Sequence, residues 1–278
     1  MKKRFNYPAF IIIILVTLAV LFPIYWIIAT SLKTGNQAFQ IPPAWVFTPT
    51  LDNYKSVLGA STSIGARNLL KNLLNSVIVT SGATFLSLVF GLPAAYALAR
   101  FNFKRRENLS FWILSLRMMP PMAAVIPLYY IASRLKLLGT YYILIIVYLI
   151  FSLPLVVWLM RGFFKDVPAS IEEAARVDGA TRIQVFLKIA LPLSLPAIAA
   201  TTILTWIFAW NEFLFAVILS NRHTATIPVA MTYYQTQFTV YWNSMAAGAV
   251  VAFLPVIIVS LFAGRYLVRG MTLGSVKY

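Results

Sequence analysis

Long apolar stretches alternate with short polar ones along this chain. Six stretches are long enough to cross a bilayer core as helices, which takes about 20 mostly apolar residues. They are roughly 8–30, 76–99, 109–132, 141–161, 193–219 and 245–267. The third contains Arg117, Pro120, Pro121 and Pro127. A proline removes one helical hydrogen bond and crowds the preceding turn, so this span is predicted to be kinked or partly unwound. The second carries Gly82, Gly91 and Pro93, which predict close helix contacts or a bend.

Two of the intervening polar segments are long. In the outer loop, about 31–75, the run "IPPAWVFTPTLDNY" (Ile41–Tyr54) is proline-rich. It is predicted to be extended before a short helix near Asn53–Leu58. The segment at about 164–192 contains "EEAARVDGATRIQVFLKIALP", Glu172 to Pro192, with three acids and three bases. Pro168 suits a first helical turn, and Ser170-x-x-Glu173 matches a capping box. Gly179 can stop that helix in a left-handed conformation, and Thr181-x-x-Gln184 can cap a second one running to a break at Leu191-Pro192. Two short helices hinged at Gly179 are therefore predicted. On the first, Ile171, Ala174 and Ala175 share a face at i, i+3, i+4 spacing. Such a face can seat in a groove of a partner or lie on a membrane surface, and spacing alone does not choose.

Composition makes the membrane reading general. Of 278 residues, 60% are hydrophobic and 11% charged, and the mean hydropathy is +0.81. A soluble domain carries about 25% charged residues, so this apolar surplus needs lipid. The absence of repeats, low-complexity tracts or a second soluble domain leaves one membrane domain, 1–278, all-α with six transmembrane helices. The basic start "MKKRFNY" before a long apolar run, with no clean small-x-small cleavage site, reads as an uncleaved anchor.

The net charge of +16 raises nucleic acid as a ligand, but the bases cluster at the ends of apolar stretches and no nucleic-acid-binding pattern appears. With the N-terminus inside, fifteen bases fall in inner segments and seven in outer ones, with Arg117 inside a span. That bias predicts an N-in, C-in topology and a cytoplasmic 164–192 segment. No cysteine is present, which excludes disulfides and thiolate chemistry. H-E-x-x-H, G-x-S-x-G and phosphate-loop patterns are all missing, so neither a membrane hydrolase nor an ATPase is indicated. A stand-alone secondary transporter would be expected to show internal repeats and intramembrane coupling-ion carboxylates. Glu212 is the lone candidate.

The spacing Glu173-Ala174-Ala175, three residues, Gly179, nine residues, Ile189, one residue, Leu191-Pro192 resembles the EAA loop of bacterial ABC-importer permeases. "PTLDNY" (Pro49–Tyr54), "MMPPMAAVIPLY" (Met118–Tyr129), "WNEFLFA" (Trp210–Ala216) and "TIPVAM" (Thr226–Met231) are similar to segments of the smaller, six-helix partner in maltose-type carbohydrate permeases. The tail "RGMTLGSVKY" (Arg269–Tyr278) resembles that family's ending, with departures at Met271, Ser275 and Tyr278. Gly139-Thr140 stands where many relatives carry Asn-Thr.

The resemblance implies a type I ABC importer transmembrane fold and a non-catalytic subunit of the inner membrane. It implies a second permease subunit forming a heterodimeric pore, two ATPase subunits holding ATP and Mg, an extracytoplasmic solute-binding protein, and a sugar or oligosaccharide substrate. This chain would need no cofactor or metal of its own. Glu172, Glu173, Ala174, Ala175, Asp178, Gly179, Leu191 and Pro192 would form the ATPase-coupling loop. In the tail, about 268–278, Gly270, Thr272, Gly274 and Lys277 would reach the ATPase. Another solute class is the alternative.

Ionisable groups inside spans usually face a cavity or a partner. Arg117, Asn211 and Glu212 are therefore candidates for the translocation path, with a structural role or a contact to the partner permease as the competing reading. Most Trp and Tyr side chains are assigned to interfacial anchoring, and His223 to the surface.

Overall fold

The computed structural model describes residues 7–59 and 69–273, without the side chains of residue 9 and residues 263–273. The described residues are helical, apart from turns and one isolated bridge between Gln235 and Val240. Among the described residues, four helices are long and apolar enough to cross a bilayer, or up to six if two sharply bent pairs each count as one span. The chain packs as two units, residues 1–71 with 230–254, and 72–229 with 255–278.

The first unit begins with α1 (Tyr7–Ser31). At 1.5 Å per residue it is long enough to span the hydrocarbon core. Its most apolar window has a mean hydropathy of 2.9 and none of it is buried by protein. A helix that is apolar all round and uncovered requires an apolar solvent. Two short helices follow, α2 (Gly35–Ala38) and α3 (Asp52–Val57), so the helix predicted near Asn53–Leu58 is present. Asn53 explains why this segment folds as it does. Its buried amide donates to the carbonyls of Ser31 and Lys33, both at 2.8 Å, and its oxygen accepts from Asn243 at 2.6 Å. The carbonyls at and just past the end of α1, which lack helical partners, are thereby satisfied by a side chain about twenty residues on. Ser31 also bonds the Tyr54 hydroxyl at 2.6 Å.

α4 (Leu69–Arg100) starts in the first unit and runs on in the second. Leu69 lies six residues before the predicted loop boundary at 75. In the second unit, a Cβ on Gly91 would come within 2.6 Å of Val156, and one on Gly82 within 3.1 Å of Ile145. Both glycines thus admit α7 (Tyr141–Asp166) to close contact, as their small size predicts.

The third stretch is not a single rod. α5 (Arg106–Ser115) passes through a 3-10 turn at Leu116–Met118, and α6 (Pro121–Arg134) leaves at 89°. Pro120 is held extended (ψ 122°) because a residue before proline is pushed out of the α region. Pro127 sits inside α6 without ending it.

The segment after α7 forms α8 (Ala169–Val177), α9 (Arg182–Val185), a π-turn at Phe186–Ala190 and α10 (Leu191–Leu193). The predicted break at Leu191-Pro192 is displaced. Pro192 lies in the helix, and the chain turns by 77° around Ser194 into α11 (Leu195–Trp210). Pro192 has no N–H to give to the preceding turn. The π-turn fits this, with the Leu191 N–H reaching back five residues to the Phe186 carbonyl. Pro196, in the first turn of α11, suits a helix start and not a continuation.

The stretch 193–219 is likewise not continuous. It stops at Asn211–Phe213 and resumes as α12 (Leu214–Leu219). The short α13 (Ile227–Thr232) precedes α14 (Trp242–Leu273), which contains the sixth predicted stretch and crosses from the first unit into the second.

Candidate functional site

The charged segment between α7 and α11 is built around a left-handed turn. The N–H of Gly179 donates to Arg176 and that of Ala180 to Ala175, at 3.1 and 3.0 Å. These two bonds close a Schellman motif and satisfy carbonyls at the end of α8. Gly179 has φ +89° and nothing within 4 Å of a built Cβ, so conformation, and not space, favours glycine there. Thr181 and Gln184 form the predicted capping box on α9. Ser170 does not form one: it lies inside α8, whose N-cap is Pro168, and no side chain caps that end. The helix starts earlier because Pro168 supplies a fitting φ of −58° and Ala169 continues it.

α8 has two unlike sides. Glu172 is 6% exposed. It accepts from Tyr96 at 2.7 Å and from Arg100 Nε at 2.9 Å, while Arg100 Nη2 donates to the Val167 carbonyl at 2.6 Å. Both ions of this pair are shielded, at 14% and 8% side-chain exposure. Its carboxylate is therefore engaged inside the chain, in contrast to the exposed Glu173, Ala174, Asp178 and Gly179. Ile171 is 44% exposed and Val177 88%; Ala175 is half-buried. Ile171, Ala174 and Ala175 do share a face, and it is open.

Beyond Gly179 the segment sinks into the second unit. Tyr96 lies 4.9 Å from the Phe186 ring and 5.5 Å from that of Phe164. Ala190 and Ala197 join Tyr96, Val156, Met160 and Phe164 in a buried cluster, with Leu191 packed against it. Pro192 follows in α10. Arg100, Tyr96 and this aromatic cluster escape sequence reasoning because they lie 72 and 76 residues from Glu172. The position of Arg100 at the end of an apolar run is a topology signal and gives no hint of its partner.

A second constellation lies at the breaks in the apolar stretches. Arg117 and Glu212 line one cavity of ≈ 360 Å³ with Tyr148, Ser152 and Phe208. Arg117 donates to the Phe151 carbonyl at 3.2 Å and stands 4.9 Å from the Phe208 ring centroid. Glu212 sits in the break and not within a helix. Its two oxygens accept from the N–H groups of Phe215 and Ala216 at 3.1 and 3.2 Å, so it caps α12 and explains why a new helix starts there. Asn211 is exposed and donates back to Ile207 at 2.8 Å. The structure thus brings Arg117 and Glu212 to a common cavity, while Asn211 is bonded within its own turn.

Gly270 and Thr272 fall in the last turns of α14, whereas Gly274 and Lys277 lie outside the described residues. His223 is exposed, and its backbone is bonded to Asn221 and Asn75.

Comparison with known proteins identifies the family of the chain. Residues 87–273 match the family described as binding-protein-dependent transport system inner membrane component. The chain is 39% identical over 257 residues to a probable ABC transporter permease protein, y4oR, of Sinorhizobium fredii, covering 92% of this chain and 90% of the relative. It is 34% identical over 266 residues to the trehalose/maltose transport system permease protein MalG of Thermococcus litoralis, covering 95% and 94%. Among solved structures, a bacterial ABC transporter involved in the import of the acidic polysaccharide alginate superposes with a TM-score of 0.76 at 25% identity, covering 92% and 94%. The chain belongs to the binding-protein-dependent transport system inner membrane component family, and is a multi-pass protein of the inner membrane.

Proposed function

We propose that this chain is the permease subunit of an ATP-driven importer for a sugar or oligosaccharide, with six crossings, both termini inside, and residues 1–278 forming one membrane domain. It forms half of a heterodimeric pore, receives substrate from a solute-binding protein, and leaves ATP hydrolysis to a separate pair of ATPase subunits. The carbohydrate class is supported by the relatives named for trehalose/maltose and alginate transport.

One observation carries the coupling role: α8 is held from one side and open on the other. Glu172 and the Tyr96 cluster bind the loop to α4 and α7. The face with Ile171, Ala174 and Ala175 is left for an ATPase cleft, flanked by Glu173, Asp178 and Gly179. Small alanines let the cleft's backbone approach closely. A force on α8 then reaches the membrane helices through Glu172, the hinge at Gly179, and the Leu191-Pro192 segment packed beside α4. Gly270, Thr272, Gly274 and Lys277 make a further contact with the ATPase. Alternating access follows, with nucleotide binding shifting the population of inward- and outward-facing states. The cavity of Arg117 and Glu212, with Asn211 beside it, lies on the translocation path.

Reconstitution with its partners in proteoliposomes tests the reading. ATP-dependent uptake of a labelled sugar is expected, and Gly179→Asp should lower it at least tenfold while the complex still assembles. Uptake without ATPase subunits, or unchanged uptake by the variant, contradicts it.

A further inference from the structure

Lys33 lies just past the end of α1 and is only 2% exposed. Its ammonium stands 4.3 Å from the Trp26 ring centroid and 5.1 Å from that of Phe47. Burial of an ammonium is costly unless an anion or several acceptors compensate it. The first unit supplies little. Asp52 is its one acidic residue, and that carboxylate already accepts from Thr50 at 2.8 Å and from Lys55 at 3.3 Å. Ring faces attract the cation but do not neutralise it.

Lys33 also lines a cavity of ≈ 480 Å³. Its lining combines Lys33, Gln37 and Gln40 with Trp26, Trp242 and Ala249 of α14. A lining that combines a cation and two amides with indoles and apolar side chains suits an amphiphile and not a free ion. The most apolar window of the neighbouring α1 has no residue buried within this chain, and a phospholipid supplies in one molecule both the anion that Lys33 lacks and an apolar chain.

We propose that this cavity is a phospholipid site, in which the headgroup phosphate pairs with Lys33, Gln37 and Gln40 bind headgroup or glycerol oxygens, and an acyl chain follows α14 past Ala249. The site rests on the chain being a membrane permease, but it does not depend on sugar transport or on the coupling role of α8.

The assembled importer, delipidated and then titrated with phosphatidylglycerol, provides the test by native mass spectrometry. Wild type should hold a tightly bound phospholipid. Lys33→Gln should weaken its retention about tenfold or more, which corresponds to ~1.4 kcal/mol, and Lys33→Arg should preserve it. Ala249→Trp, which adds bulk to the cavity lining without removing the charge, should also weaken it. Equal retention by wild type and Lys33→Gln overturns the proposal, as does unchanged retention by Ala249→Trp. Inorganic phosphate alone should not raise the Tm of the complex; a rise abolished by Lys33→Gln would mark a free-anion site and overturn the lipid assignment. Loss of uptake in the Gly179→Asp variant leaves lipid retention unchanged, so the two readings fail separately.

Discussion

Glu172 and Glu212 are two carboxylates in a chain dominated by apolar residues, and the fold treats them differently. Glu172 is satisfied by side chains from far along the sequence, Arg100 and Tyr96. Glu212 is satisfied by the backbone of its own neighbourhood, the N–H groups of Phe215 and Ala216. The first arrangement joins separate elements, so a displacement of α8 is felt by α4. The second starts a short helix and leaves the carboxylate beside a cavity. A charge that ties elements together links their positions, whereas one that caps a local turn starts a helix beside a cavity.

The difference can be broken at its stronger end first. Glu172→Ala leaves Arg100 shielded without its carboxylate, and breaking a buried pair from one side costs about 3–5 kcal/mol. The expected result is a marked fall in Tm and near-complete loss of uptake, measured on the purified complex. Glu212→Gln keeps one acceptor for the two N–H groups of α12. A net loss of about 1 kcal/mol is expected, seen as a Tm decrease of a few degrees, with uptake reduced because the cavity loses its carboxylate and keeps only the Arg117 cation. An equal Tm loss for both variants would erase the contrast. The smallest effects distinguish the two capping motifs. Thr181→Ala removes a formed cap worth about 1 kcal/mol of local helix stability, whereas Ser170→Ala should stay within about 0.5 kcal/mol. Hydrogen exchange of the α8 and α9 amides separates them.

Much of this was legible in the sequence where the governing physics is local. Apolar run length located the helices, proline pairs located the 89° bend, and Gly179 announced a left-handed turn. Gly82 and Gly91 marked close approaches to α7. The failures come from longer range or from competing local signals. Ser170 and Glu173 have capping-box spacing, yet Pro168 starts the helix earlier. Pro192 looks like a stop, but the π-turn before it carries the helix through to Ser194. An apolar run across Asn211-Glu212-Phe213 hides the break because the capping carboxylate lies among strongly apolar neighbours. The partners of Glu172 could not be read at all, since nothing local connects a loop acid with an arginine 72 residues earlier. Gly139 is a further case. Its φ of +72° suits glycine or asparagine, and the Asn221 side chain fills the space a Cβ would need.

The central claim is that the open face of α8 seats in the ATPase while Glu172 holds its other side. The chain has no native cysteine, so single cysteines report on this directly. In the assembled complex, Ala174→Cys or Ala175→Cys paired with a cysteine in the ATPase cleft should form a disulfide cross-link whose yield changes with nucleotide. The same reaction at the buried Ala190 should give none. Absence of cross-links from Ala174 and Ala175 across several cleft positions, in a complex that still transports, would contradict the account.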